Sequence, residues 1–189
     1  MTPSVHPVTL SPIPRRDPAW REVRALYLRA FPAEERAPFW LIKRRVLQGR
    51  GELLAIRREG AFAGFAYVIG NERAAYLFFF AIADGQRGRG YGSAVLAALK
   101  ERYAGKALFL ARETLDEQAE NYDQRTRRHH FYLRNGFCDL PLFIQEAGVT
   151  YDVMGVGGAP RPSDYQALMR AWAGPVLSRL VPMRMGEKP

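Results

Sequence analysis

The stretch that most constrains this chain is Tyr76 to Tyr103, where three local signals follow one another without a gap. Tyr76-Leu77-Phe78-Phe79-Phe80-Ala81-Ile82-Ala83 is a short, aromatic-rich apolar run, the pattern of a strand buried on both faces. Asp84-Gly85-Gln86-Arg87-Gly88-Arg89-Gly90-Tyr91-Gly92-Ser93 comes next, a glycine-rich loop. Ala94 to Tyr103 then reads as a helix, with Val95, Leu99 and Tyr103 stacked along one face and Gly105 as its stop. Strand, glycine loop and helix together suit a phosphate. The first N–H groups of a helix have no internal partner, and the helix dipole adds positive potential there. Glycines let the main chain approach an anion and turn with positive φ.

The spacing excludes two phosphate loops. A Walker loop needs Gly-x-x-x-x-Gly-Lys-Ser/Thr, but Gly85 to Gly90 is followed by Tyr91-Gly92. The dinucleotide fingerprint Gly-x-Gly-x-x-Gly fails because Gly88-x-Gly90 leads to Ser93 and Gly90-x-Gly92 to Val95. What fits is Gln/Arg-x-x-Gly-x-Gly/Ala, here Arg87-Gly88-Arg89-Gly90-Tyr91-Gly92. This segment resembles the acetyl-CoA pyrophosphate loop of the GNAT superfamily, the acyl-CoA-dependent N-acyltransferases. A glycine-rich turn in another α/β protein is the competing reading.

A chain of 189 residues suits one domain with a full core. Its net charge of +9 is carried by 24 Arg and 4 Lys. That excess suits an anionic ligand such as CoA, and it also suits nucleic acid. No zinc-finger spacing and no repeated aromatic-plus-basic pattern supports nucleic acid, so none is expected as a partner. Cys138 is the only cysteine, so no internal disulfide forms, and its place in a strand predicts a small core residue. The longest apolar run, Ala74 to Ala83, is too short for a bilayer, and the N-terminus has no charged-then-apolar leader pattern. The expectation is a cytoplasmic protein with no membrane partner.

Along the chain, Val8 to Ile13 reads as an edge strand that tolerates Pro12. Asp17-Pro18 opens a helix whose apolar face is Trp20, Val23, Tyr27 and Ala30/Phe31, ended by Pro32. Pro38 to Gln48 predicts a second helix with Phe39, Ile42 and Val46 inward. Glu52–Arg58 and Ala61–Ile69 read as strands around Glu59-Gly60, with Gly64 marking a bulge. Tight turns into the opening strand imply an antiparallel meander. Lys106–Arg112 is a further strand, parallel to the one before the glycine loop because a helix intervenes. A helix from Tyr122 to Asn135 ends at Gly136, and Phe137–Gln145 with Val149–Val156 forms a hairpin. A linker, Gly157 to Pro162, precedes a last helix opened by Ser163-x-x-Gln166, carrying Tyr165, Leu168 and Trp172 and stopped by Gly174-Pro175; the remainder reads as a tail.

This order is similar to that of the GNAT superfamily from Val8 to Val156. Arg128-His129-His130-Phe131-Tyr132-Leu133-Arg134-Asn135-Gly136-Phe137 also resembles the family's Phe-Tyr-x-x-x-Gly-Phe segment. The resemblance implies an α/β (α+β) fold: a mixed, mostly antiparallel sheet with a parallel, splayed central strand pair and helices on both faces. It implies a GNAT domain over 1–158 and a C-terminal helical extension and tail over 159–189. Acetyl-CoA is the implied cosubstrate, with no metal. Ile82, Ala83 and Asp84 would offer main-chain groups to the pantetheine and acyl carbonyl, and Arg87, Gly88, Arg89, Gly90, Tyr91, Gly92 and Ser93 would hold the pyrophosphate. Many members carry Asn seven residues before the Tyr. Arg125 stands there in this chain, and Asn121 is the nearest Asn; Asn121 and Arg128 are the remaining cofactor-side candidates.

Transfer of an acetyl group from a thioester to an amine needs a held thioester, a donor for the oxyanion, a neutral amine and a proton for the thiolate. Tyr132 is the candidate acid, since a phenol is protonated at neutral pH. Glu113 is the candidate base, with Glu34 and Glu35 as loop carboxylates of the same kind; solvated surface acids are the bland alternative for each. His129 and His130 read as surface histidines, and no cluster has metal-ligand spacing. Three readings follow: an N-acetyltransferase acting on a primary amine, a catalytically silent CoA-binding module, and a basic nucleic-acid binder. The acceptor is open, as is the choice between monomer and homodimer.

Overall fold

The computed structural model describes residues 8–33, 36–146, 148–180 and 182–188. Its elements are β1 (Thr9–Pro12), α1 (Ala19–Ala30), α2 (Phe39–Leu47), β2 (Glu52–Arg58), β3 (Ala61–Gly70), β4 (Ala74–Ile82), α3 (Tyr91–Arg102), β5 (Ala107–Glu113), α4 (Tyr122–Arg134), β6 (Cys138–Glu146), β7 (Val149–Val156), α5 (Pro162–Leu180) and β8 (Met183–Glu187). The strands are hydrogen-bonded in the order β1-β2-β3-β4-β5-β7-β6-β8. β1–β2, β2–β3, β5–β7, β6–β7 and β6–β8 pair antiparallel, and β4–β5 pair parallel. This is the mixed, mostly antiparallel sheet that the sequence predicts. Among the described residues, no helix is long and apolar enough to cross a membrane.

The chain divides into two compact units. The first holds the described residues up to Ile69 together with Phe78–Arg102; the second holds Gly70–Leu77 and the described residues from Tyr103 onward. β4 therefore begins in the second unit and ends in the first.

The first unit is built on aromatic packing. Asp17 Oδ1 accepts the Ala19 N–H at 2.7 Å and so opens α1, as its sequence predicts. Trp20, Val23, Leu26 and Tyr27 are then buried along one face of that helix. The Tyr27 ring meets Phe79 edge-on at 5.0 Å, and its hydroxyl donates to Ala37 O at 2.9 Å. Beyond Leu77, β4 alternates: Phe79 and Ala81 are buried, while Phe78, Phe80 and Ile82 are half-buried. The expectation of burial on both faces holds only for Ala74–Leu77. β3 carries the bulge expected at Gly64, where the register with β2 shifts. A Cβ on Gly64 would lie 2.3 Å from Ala81 O, and Ala83 N–H donates to Ala63 O at 2.9 Å. Glycine there lets the end of β4 come close to the bulge.

In the second unit the parallel ladder covers Ala74↔Ala107 to Tyr76↔Phe109, and those last two rings stack at 4.9 Å. β4 runs on to Ile82, while β5 stays paired with β7 as far as Glu113↔Tyr151. The Tyr76 and Tyr165 hydroxyls both donate to Glu146 Oε1, at 3.1 and 2.7 Å. α5 starts at Pro162, and its first turn is tied by Arg161 N–H to Asp164 Oδ2 rather than by the expected Ser163–Gln166 pair. Tyr165, Leu168 and Trp172 are buried as predicted. Gly174 (φ 75°) breaks α5, where the sequence places its stop. The expected tail instead contains β8, which pairs with β6. Cys138, expected in the core, is exposed at the start of β6.

Gly64→Ala should lower the melting temperature by about 4–8 °C, from an overpacking cost of about 2 kcal/mol. An unchanged melt followed by far-UV circular dichroism would show that β3 and β4 separate at this point without cost.

Candidate functional site

In the first unit, β4 ends at Ile82 and a single 3-10 turn, Asp84–Gln86, carries the chain into the glycine loop. Gly88 and Gly90 have φ of 75° and 80°, the left-handed region that disfavours side chains. A Cβ on either would meet nothing within 4 Å, so backbone conformation, rather than crowding, is what glycine supplies here. α3 begins at Tyr91 and not at Ala94, so Gly92 and Ser93 belong to its first turn. Ala94 N–H is the first to bond backward, to Gly90 O at 3.1 Å. Among the described residues, the N–H groups of Gly88 through Ser93 donate to no main-chain carbonyl outside a helix. Gly88, Arg89 and Gly90 are exposed, so the donors that the sequence singles out stand at the surface at a helix N-terminus.

Side chains around this loop have separate roles. The Arg87 Nε donates to Ile82 O at 3.3 Å, and its Nη2 lies 3.1 Å from Asp84 Oδ1. The Ile82 carbonyl and the Asp84 carboxylate are thus engaged by the loop's own arginine. Ala83 donates to Ala63 and accepts from Gln86 N–H at 2.8 Å. The Tyr91 ring is buried, with the Arg58 guanidinium 5.5 Å above it.

In the second unit, α4 lies against the end of β5 through one carboxylate. Glu113 Oε1 accepts from Asn121 Nδ2 at 3.0 Å and lies 3.2 Å from Arg125 Nε; Oε2 accepts from Arg128 Nη1 at 2.9 Å. Arg125 Nε also donates to Asn121 Oδ1 at 2.7 Å, and its Nη1 donates to Thr114 O at 2.8 Å. Glu113 and Asn121 are therefore both committed within this cluster. Arg128 keeps donors beyond the one engaged by Glu113, and its side chain is 40% exposed.

Tyr132 is one helical turn past Arg128, 8% exposed, with its ring edge-on to Phe137 at 5.8 Å. Burial pushes its phenol above the ordinary value, and the nearby Arg128 charge partly offsets this. The hydroxyls of Tyr27, Tyr76 and Tyr165 are hydrogen-bonded. That of Tyr132 has no such bond among the described residues.

A second network meets α4 through His129. Arg112, 7% exposed, reaches Asp139 Oδ1 at 2.9 Å and Asp152 Oδ2 at 3.0 Å. His129 Nε2 lies 2.7 Å from Asp139 Oδ2, and Lys188 Nζ 2.6 Å from Asp152 Oδ1. His129 is thus tied to β6 rather than free at the surface, whereas His130 is exposed. The sequence reading missed Arg125 and Arg112 as bridging groups. Arg125 and Arg128, three apart on one helix face, were the available signal. Glu34 and Glu35 lie outside the described residues. Among those described, no group of three or more His, Cys, Asp or Glu could hold a metal ion.

A family model described as the acetyltransferase (GNAT) family matches residues 20–137. No curated protein matches the sequence. Among solved structures, a GNAT-family acetyltransferase from Bacteroides thetaiotaomicron, described as putative, aligns at TM-score 0.71 with 21% identity, covering 89% of this chain and 98% of its own. An aminoglycoside 6'-N-acetyltransferase complexed with coenzyme A aligns at 0.62 with 16% identity, covering 82% and 99%. A GNAT-family acetyltransferase from Elizabethkingia anophelis with acetyl-CoA bound aligns at 0.53 with 16% identity, covering 78% and 94%.

The network around α4 gives a pH-dependent expectation. Burial raises the Asp139 carboxyl, but hydrogen bonds from Arg112 and His129 outweigh it and hold the group below its usual range. Stability from a depressed carboxylate is complete above its unfolded pKa, about 3.9, and is lost as pH falls through the folded value. Urea melts of Asp139→Asn should show a deficit near neutrality that shrinks below about pH 4. A deficit independent of pH would mean that the charge contributes nothing.

Proposed function

The chain belongs to the acetyltransferase (GNAT) family, and from that premise we propose that it transfers an acetyl group from acetyl-CoA to a primary amine by direct attack on the thioester. The observation that carries the proposal is the run of main-chain N–H groups from Gly88 to Ser93 at the start of α3. Among the described residues these groups donate to no main-chain carbonyl outside a helix, and the run begins with the exposed Gly88, Arg89 and Gly90. A diphosphate accepts several such bonds at once and gains from the helix dipole. Arg89 and Arg87 add charge at the rim. Arg87 would release the Ile82 carbonyl on taking up the phosphate, which frees that main-chain group for the pantetheine arm. The Ala83 N–H and carbonyl are held by Ala63 and Gln86, and the Asp84 carbonyl by Arg87 N–H, so those groups serve the arm only if the turn opens. Asn121 and Arg128 are cofactor-side contacts in this reading, Arg128 through the donors that Glu113 leaves over.

The amine lone pair attacks the thioester carbon, and the carbonyl electrons move to oxygen. When the intermediate collapses, the C–S bond breaks and its electron pair stays on sulfur. Tyr132 gives the hydroxyl proton to that sulfur, which yields free CoA thiol and a phenolate. The proton of the new N-acetyl ammonium passes through water, and the phenolate is reprotonated from solvent, so charge and protons balance. Glu113, the sequence's candidate base, has hydrogen bonds on both oxygens. Water therefore takes the amine proton in this scheme, with Glu113 acting only if the cluster opens.

A thermal-shift series with acetyl-CoA tests the binding. At a hundredfold excess over Kd, the stabilisation is about 2.7 kcal/mol, a rise of roughly 5–10 °C. No shift at any concentration would remove acetyl-CoA as ligand and favour the nucleic-acid reading. Thiol release is then followed over a panel of aminoglycosides, polyamines and peptide amines, the first because two structural neighbours are aminoglycoside 6'-N-acetyltransferases. Binding without turnover on any of them supports the silent module instead. With an accepted amine, Tyr132→Phe should lower kcat about a hundredfold with little change in the KM for acetyl-CoA. Near-wild-type turnover with chemistry rate-limiting would exclude Tyr132 as the acid.

A further inference from the structure

The Glu113 cluster places a fixed cation beside the proposed acid. Arg128 and Tyr132 are four residues apart on α4, a spacing that stacks two side chains on one helix face. Arg128 is long and partly exposed, and left alone it would sample many rotamers. Glu113 Oε2 holds its Nη1 at 2.9 Å, while Asn121 and Arg125 occupy Oε1 and keep that carboxylate in place. The Tyr132 ring is buried, and its aromatic neighbours are Phe131 and Phe137. A phenolate formed there would have lost its hydration without a replacement unless a cation stands near.

We infer that Arg128 is a positioning residue for Tyr132: tethered by Glu113, its guanidinium stabilises the phenolate left when the proton departs. Glu113 then acts through Arg128 and not as a base. The inference rests on the acetyl-transfer reading for its meaning in catalysis, but the electrostatic pairing can be read without turnover.

The first measurement is 19F NMR of protein labelled with 3-fluorotyrosine, whose phenol ionises at lower pH than that of tyrosine. The Tyr132 signal is identified by its loss in Tyr132→Phe. The charged group acting on Tyr132 is Arg128 on α4, and the group tied to Arg128 is Glu113 from β5. Arg128→Met should move the Tyr132 midpoint up by roughly half to one pH unit, Arg128→Lys by less, and Glu113→Gln by an intermediate amount through loss of the tether. A midpoint unmoved in Arg128→Met, with the circular dichroism spectrum retained, overturns the inference. Should the Met variant not fold, the Lys and Gln variants decide by the same criterion.

The second measurement is kinetic, with an accepted amine. Arg128→Met should lower kcat roughly three- to tenfold, over and above any rise in the acetyl-CoA KM, and cause no further loss of kcat in a Tyr132→Phe background. Additive losses of kcat, or a loss confined to KM, would leave Arg128 as a cofactor contact alone and refute its positioning role. If no amine is acetylated, the proposed function fails, and the NMR midpoint still decides whether Arg128 acts on Tyr132.

Discussion

An α-helix cannot satisfy its own first N–H groups, and at α3 the chain leaves that deficit unfilled among the described residues. Helices usually close it with a Ser, Thr, Asp or Asn side chain, as Asp17 does for α1. Before α3 stands Gly90, which has no side chain to offer, and Gly88 and Gly90 both take the positive φ at which the main chain turns into the helix. The local arrangement follows from this choice. β4 must deliver the chain at the right point, Gly64 must let Ala81 come close, and the inward ring of Tyr91 must fix the first turn of the helix. An anion is the simplest partner for such an array, and a diphosphate fills more of it than a single phosphate could.

The second unit supplies a different kind of constraint. Several of its carboxylates are each matched by more than one donor. Glu113 has two arginines and an asparagine, Asp139 an arginine and a histidine, and Glu146 two tyrosines. A carboxylate in such a set costs less to desolvate, because its lone pairs stay occupied. Tyr132 stands apart, with a buried ring and a hydroxyl that the protein leaves unengaged among the described residues. A buried phenol holds its proton tightly, so it is well kept for a strongly basic acceptor and slow to lose it to water.

The strand, glycine loop and helix are legible in the sequence because their causes are local: apolar patterning, positive φ and the i, i+4 face of α3. The sequence places the start of α3 too late because glycine weakens a helix interior, whereas in a first turn its cost is small. The role of Glu113 cannot be read from the sequence, since its partners Asn121 and Arg128 lie 8 and 15 residues away and meet it only when α4 packs on β5. The same holds for His129, whose partner sits on another strand. β8 is invisible for another reason. Met183-Arg184-Met185-Gly186-Glu187 has no β-branched residue and contains a glycine, so its extended form comes from pairing with β6 and not from propensity. Gly186 is itself explained only there, since a Cβ would lie 2.7 Å from the Phe143 ring.

β8 also changes what β6 is. With β7 on one side and β8 on the other, from Leu142↔Glu187 to Glu146↔Met183, the apolar residues Phe143 and Ile144 lie in an interior strand. A chain cut before Met183 would turn that strand into a bare margin with unbonded amides and carbonyls, a template for other chains to add to. β8 takes the margin in its place, a five-residue strand that carries Arg184 and Glu187, and charge on a short edge discourages a further strand from pairing there.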